Sequence, residues 1–235
     1  MPSIYGYQAN FPYAKMFDGG DKMSYVIQTA EQYRKAADQG NAGAQFALGN
    51  CYYKGDGVEK NRAEAVRWYR KAADQGNVYA QYNLGLCYSN GEGVEKNRAE
   101  AVRWFRKAAD QGYAEAQLCL GLCYASGDGV EKNPAEAVRW WRKAADQGHA
   151  EAQHNLGLCC YNGLGVERDP SAAVRWFRKA ADQGDAEAQS GLGLCYASGD
   201  GVEKNPAEAI RWWRKAADQG HAEAQHNLGL LLRQR

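Results

Sequence analysis

Apolar residues recur along this chain with a helical period, and the whole arrangement returns every 36 residues. From Ala114 to Tyr124, the residues Ala116, Leu120, Cys123 and Tyr124 fall at helical spacing and form one apolar face, which predicts a first helix of the unit, helix A. Gly127 stops it, and Val130 anchors the loop Asp128-Gly129-Val130-Glu131-Lys132. Asn133, Pro134 and Glu136 then provide an N-cap, a first-turn proline and an acidic third position, which satisfy or exempt the open amides of a second helix, helix B. Ala137, Val138, Trp140, Trp141, Ala144 and Ala145 give helix B a wide apolar stripe. Arg139, Arg142, Lys143 and Asp146 lie mostly opposite, and Gly148 closes the helix.

The tetrapeptide Ala-Asp-Gln-Gly marks the period, starting at Ala37, Ala73, Ala109, Ala145, Ala181 and Ala217. A helical hairpin of this size cannot bury its apolar face alone, so the units must stack as a solenoid. The template predicts an all-α chain of about twelve helices: a lone helix B near 24–39, five A and B pairs, and a final helix A near 222–233. It forms one repeat domain over 24–235, after a non-repeat segment, 1–23, whose Tyr5, Tyr7, Phe11, Tyr13 and Phe17 are candidates to cap the first helix. Glycine recurs inside helix A at Gly49, Gly85, Gly121, Gly157, Gly193 and Gly229. Each costs about 1 kcal/mol relative to alanine, so a close backbone contact must offset it. The row Trp68, Trp104, Trp140, Trp176 and Trp212 is expected in the core.

The motifs Ala-Glu-Ala-Gln-x-x-Leu-Gly-Leu-Cys-Tyr, Gly-x-Gly-Val and Ala-Glu-Ala-Val-Arg-Trp-aromatic-Arg-Lys-Ala-Ala-Asp-Gln-Gly resemble the Sel-1-like repeat over about residues 24–233. That repeat is similar to the tetratricopeptide repeat but has a longer loop between its helices. The resemblance implies a right-handed superhelical solenoid of stacked helix-turn-helix repeats, with helix A lining the concave side. It further implies an adaptor or scaffold in protein complexes, with no catalysis and no cofactor. A secreted, cysteine-rich branch of the family is associated with binding or hydrolysing β-lactams, and its repeats carry two disulfide-bonded cysteines. Here the second cysteine of each repeat is missing, so the resemblance to that branch fails at its defining feature. Residues 131–158 and 203–230 differ only at Val138 and Ile210. Such likeness is expected from recent duplication of a two-repeat block, or from construction on a consensus, in which case there is no natural partner.

The repeats serve as their own comparison. Three positions of helix A vary: Phe46, Tyr82, Leu118, His154, Ser190 and His226; Tyr53, Ser89, Ala125, Tyr161, Ala197 and Arg233; and Lys54, Asn90, Ser126, Asn162 and Ser198. Spacings of three, seven and eight, counted with Gly43, Tyr79 and the glutamates 115, 151, 187 and 223, put them on a stripe apart from the Leu-Cys-Tyr core. If that stripe faces the groove, it takes a peptide or helix of a partner protein. The candidate contacts are Tyr82, Leu118, His154, Ser190, His226, Tyr53, Tyr161, Asn90 and Asn162, with the aromatic and imidazole groups leading.

Charge narrows the partner little: 29 lysines and arginines balance 28 acidic residues, so no global field attracts nucleic acid. The rows Arg67 to Arg211 and Arg70 to Arg214 are expected to be solvated, paired with Glu64, Asp74 and their copies. No stretch reaches the roughly 18 apolar residues of a membrane span. Cys51, Cys87, Cys123, Cys159 and Cys195 recur where Leu231 completes the row, so they are expected as reduced core residues, consistent with a cytoplasmic protein. His149/His154 and His221/His226 are spaced by five, unlike zinc-binding pairs, and are expected at the surface; no metal is implied. Leu228, Leu230, Leu231 and Leu232 belong to a helix A with no covering helix B, which raises the expectation of pairing with a second copy.

Overall fold

The computed structural model describes residues 30–233, with side chains as far as Leu231. The aromatic segment 1–23 and the start of the lone helix B lie outside the described residues. Twelve helices follow one another among the described residues: α1 (Ala30–Asp38), α2 (Ala42–Lys54), α3 (Arg62–Asp74), α4 (Val78–Asn90), α5 (Arg98–Asp110), α6 (Ala114–Ser126), α7 (Pro134–Asp146), α8 (Ala150–Asn162), α9 (Pro170–Asp182), α10 (Ala186–Ser198), α11 (Pro206–Asp218) and α12 (Ala222–Arg233). Even-numbered helices are type A and odd-numbered ones type B, as the pattern predicts.

The caps work as expected. Asn133 Oδ1 accepts from Glu136 N at 3.1 Å ahead of Pro134. Gly127 takes up a left-handed conformation (φ 83°) and its N–H donates to Cys123 O, ending α6. Among the described residues two compact units are present, one ending at Lys107 and the other beginning at Ala108. In the first, α2 packs on α1 and α3, and α3 on α4. In the second, each helix from α6 to α12 packs on the next, and the type A helices also touch, α8 with α10 and α10 with α12.

An amide chain accounts for the most invariant letters of the repeat. Gln117 donates to Ala109 O at 3.1 Å, in the last turn of the preceding helix B, while its Oε1 accepts from Gln147 at 2.8 Å. Gln153 repeats this with Ala145 O at 3.1 Å and Gln183 at 2.8 Å, and Gln189 with Ala181 O at 3.2 Å and Gln219 at 2.9 Å. In the first unit, Gln45 bonds Ala37 O and Gln75 in the same way. Both ends of a buried amide are thus satisfied, as burial requires.

Five helix A glycines, Gly49, Gly85, Gly121, Gly157 and Gly193, sit where the close contact was expected; Gly229 does not, since a Cβ there would meet nothing within 4 Å. A Cβ on Gly121 would lie 2.4 Å from Trp141 Nε1, and one on Gly85 2.6 Å from Phe105. The second aromatic of helix B therefore lies directly on the backbone of its partner helix A. The first aromatic, the tryptophan row, is buried at Trp68, Trp104, Trp140 and Trp212 but only partly at Trp176. A lysine three residues on covers each ring, as Lys143 Nζ does at 3.9 Å from the centroid of Trp140.

Candidate interaction surface

The first variable row is core, which corrects the expectation of an open stripe. Tyr82 is 7% exposed, Leu118 0%, His154 8% and Ser190 7%. Each packs against the second aromatic of its own hairpin: Tyr82 on Phe105 with centroids 6.0 Å apart, and His154 on Phe177 at 5.9 Å. Leu118 O and Ser190 O accept from the indoles of Trp141 and Trp213 at 3.3 and 3.1 Å. Variation here compensates for volume, because a ring in helix A faces Tyr or Phe in helix B, and a smaller side chain faces Trp. His226 alone of this row is exposed, since no helix B follows α12 among the described residues.

In the second row Tyr53, Ala125, Tyr161 and Ala197 are half-buried and Ser89 is buried, and the two tyrosines are tied to the loop of the next repeat. Tyr53 donates to Glu92 Oε2 at 2.5 Å beneath Arg62, and burial together with that carboxylate pushes its phenol up to about 12. Tyr161 lies under Arg168, 5.7 Å from ring centroid to guanidinium, with its phenol raised by burial and by Asp200. Asn90 and Asn162 of the third row are exposed, and Asn162 donates to Leu158 O at 3.0 Å.

That bond points to a row missed in the sequence. Leu158 is 37% exposed, Leu194 42% and Leu230 47%, and Leu122 is partly exposed at the equivalent position. They lie seven residues after Glu151, Glu187, Glu223 and Glu115, and four before Asn162, Ser198 or Ser126 where these are present, so each helix A carries glutamate, leucine and a small polar residue on one face. Asn155 belongs to the same face and is 8% exposed, with its Nδ2 lacking a hydrogen-bond partner among the described residues. The signal was available: these leucines immediately precede the core row of Cys123, Cys159, Cys195 and Leu231, so they are apolar at a position the core does not use.

The remaining candidates fall in place. All seven cysteines are buried thiols, and burial raises Cys87 to about 12 and Cys159 and Cys195 to about 11. The expectation of four surface histidines is corrected at His154, whose ring is covered by Phe177, while His149 and His221 are partly buried. Arginines of the outer row pair within their helix, Arg67 with Glu64 at 2.9 Å and Arg103 with Glu100 at 2.6 Å. Leu228 and Leu231 of α12 pack against a cluster of Ala209, Trp213, Ala216 and Ala224.

The Sel1 repeat profile matches residues 33–41, 42–77, 78–113, 114–149, 150–185 and 186–221. The chain belongs to the Sel1 repeat family. Sel1 repeat proteins are generally scaffolds for protein interaction. Among solved structures, a protective antigen present in uropathogenic Escherichia coli strains and displaying an SLR fold is 42% identical, with a TM-score of 0.83. The match covers 85% of this chain and 43% of that one, so this chain spans less than half of the antigen. A Sel1 repeat protein from Oxalobacter formigenes is 41% identical with a TM-score of 0.76, covering 85% of this chain and 82% of that one. No curated protein matches the chain. No helix among the described residues is long and apolar enough to cross a membrane.

Proposed function

We propose that this Sel1 repeat chain is a non-catalytic scaffold whose second unit takes a segment of a partner protein along its helix A face. The observation that carries this is the row Leu122, Leu158, Leu194 and Leu230, exposed to an increasing degree at 36-residue spacing, the last three on helices α8, α10 and α12 that touch in sequence. One exposed leucine is ordinary, but an aligned row is a patch that a soluble surface does not keep without use. The bordering glutamates favour a partner segment with basic residues beside its apolar ones. Asn155 Nδ2, buried and unpartnered, supplies a donor for a carbonyl of the bound backbone.

Panning a library of short peptides against the full chain tests this. Enriched sequences should combine spaced apolar residues with lysine or arginine. They should lose binding to a Leu158→Asp/Leu194→Asp variant that keeps its helical circular dichroism. Enrichment of acidic or wholly polar sequences, or binding that survives the double variant, would remove the leucine row as the site.

A further inference from the structure

One repeat differs from the rest at two positions that meet in space. Where Tyr52, Tyr88, Tyr124 and Tyr196 fill the end of helix A, α8 has Cys160. The tyrosine hydroxyl accepts from an arginine eighteen residues earlier, as from Arg34 to Tyr52, Arg70 to Tyr88 and Arg178 to Tyr196. The arginine eighteen residues before Cys160 is Arg142, which makes no hydrogen bond or ion pair among the described residues. The second departure is Ala172, in place of the glutamate that pairs with the arginine three residues on in helices α3, α5, α7 and α11. Its arginine, Arg175, reaches only Asp169, at 3.9 Å.

The positions of the missing ring and the missing carboxylate line one half-open cleft of about 620 Å³, formed by Arg142, Cys160, Ala172, Arg175, Trp176 and Lys179 with the loop from Val166 to Asp169. Its size is within the ordinary range of small-molecule sites, roughly 300 to 1,000 Å³. Arg142, Arg168, Arg175 and Lys179 face two carboxylates, Glu167 and Asp169. Asp169 is engaged as the N-cap of α9, accepting from Ala172 N at 2.9 Å, and Arg168 is held by Asp200 at 2.5 Å. With Arg168 paired outside the site, Arg142, Arg175 and Lys179 face Glu167 and Asp169, a net excess of one cation. Arg142 has no ion-pair partner among the described residues and lies beside walls, Cys160, Ala172 and one side of Trp176, that are apolar. Cys160 does not supply the counter-charge, because burial holds its thiol above the usual range despite the opposing pull of Arg142 and Arg175.

We infer that this cleft binds a small molecule in which an aromatic ring carries a phosphate or carboxylate, the ring taking the space a tyrosine fills elsewhere and the anion meeting Arg142 and Arg175. The site is separate from the leucine row and stands or falls without it.

Calorimetric titration of the full chain with phenyl phosphate, inorganic phosphate and p-cresol is the test. Phenyl phosphate should bind saturably and at least about tenfold tighter than either fragment alone, since ring and anion act together. Cys160→Tyr puts a ring back into the cleft and should abolish binding. Arg142→Gln changes an exposed side chain, leaves folding intact, and should weaken binding about tenfold or more, the loss expected for a charge-assisted hydrogen bond. Binding of phenyl phosphate no tighter than inorganic phosphate, binding untouched by Arg142→Gln, or no binding at millimolar concentration would each overturn the inference.

Discussion

Gln147 and Gln117 are joined side chain to side chain by a 2.8 Å hydrogen bond across thirty residues of chain, and Gln117 passes the link on to Ala109 O at 3.1 Å. Each repeat is thereby tied to the end of the one before it through an amide that packing alone would not demand. Gln117→Leu keeps the volume but removes both bonds, leaving Gln147 only its longer contact to Lys143 O at 3.4 Å. The expected loss is about 1–3 kcal/mol, seen as a lower urea midpoint by circular dichroism. An unchanged midpoint would mean that the amide chain contributes only order.

The glycines of helix A separate contact from propensity. Gly121→Ala drives a methyl into Trp141, 2.4 Å from its indole nitrogen, whereas a Cβ on Gly229 meets nothing within 4 Å. Gly121→Ala should therefore destabilise by about 1–3 kcal/mol through overpacking. Gly229→Ala should be neutral or stabilising by up to about 1 kcal/mol through helix propensity. Thermal unfolding of the two variants beside the parent chain distinguishes these signs; equal effects would show that the aromatic contact is not what makes glycine necessary at the first site.

Most of the fold was legible because its determinants are local and repeated. Asn133, Pro134 and Glu136 announce a helix start wherever they occur, and Gly127 and Gly148 announce the ends. The face of helix A was harder to assign, because two apolar sets share it. Leu120 and Cys123 face helix B, and Leu122 lies on another side only one residue away, so a run of three apolar letters hides which is exposed. Variation misled in the opposite direction. Tyr82, Leu118, His154 and Ser190 differ between repeats because the aromatic they face differs, and a single strand of sequence does not show which residue, 23 positions on, each must fit.

That compensation is testable as a coupling. Phe46 faces Tyr69 with centroids 5.9 Å apart and Tyr82 faces Phe105 at 6.0 Å, whereas Leu118 lies beside an indole. Leu118→Tyr should overpack against Trp141 and cost about 1–3 kcal/mol. Adding Trp141→Phe recreates the pair of the preceding hairpin and should recover about 1 kcal/mol or more relative to the sum of the single changes. Additive losses across a double-mutant cycle would show that the two positions vary independently.

His154 makes stability depend on pH in a direction its neighbours would not suggest. Burial against Phe177 lowers its pKa below the ordinary imidazole value, and His221 adds to that, although Asp185, Glu187 and Glu151 all pull the other way. The unfolded chain therefore binds a proton at this residue at a pH where the folded chain does not. Its contribution is present in full above the unfolded pKa of about 6.5, and is lost as pH falls from there towards the depressed folded value. His154→Phe places an uncharged ring of similar shape on Phe177, so it should flatten the fall in urea midpoint between about pH 7 and 5 while leaving the value near pH 8 within about 1 kcal/mol of the parent. A parent and variant whose midpoints fall in parallel over that range would show that folding does not lower the His154 pKa, the three carboxylates around it offsetting its burial.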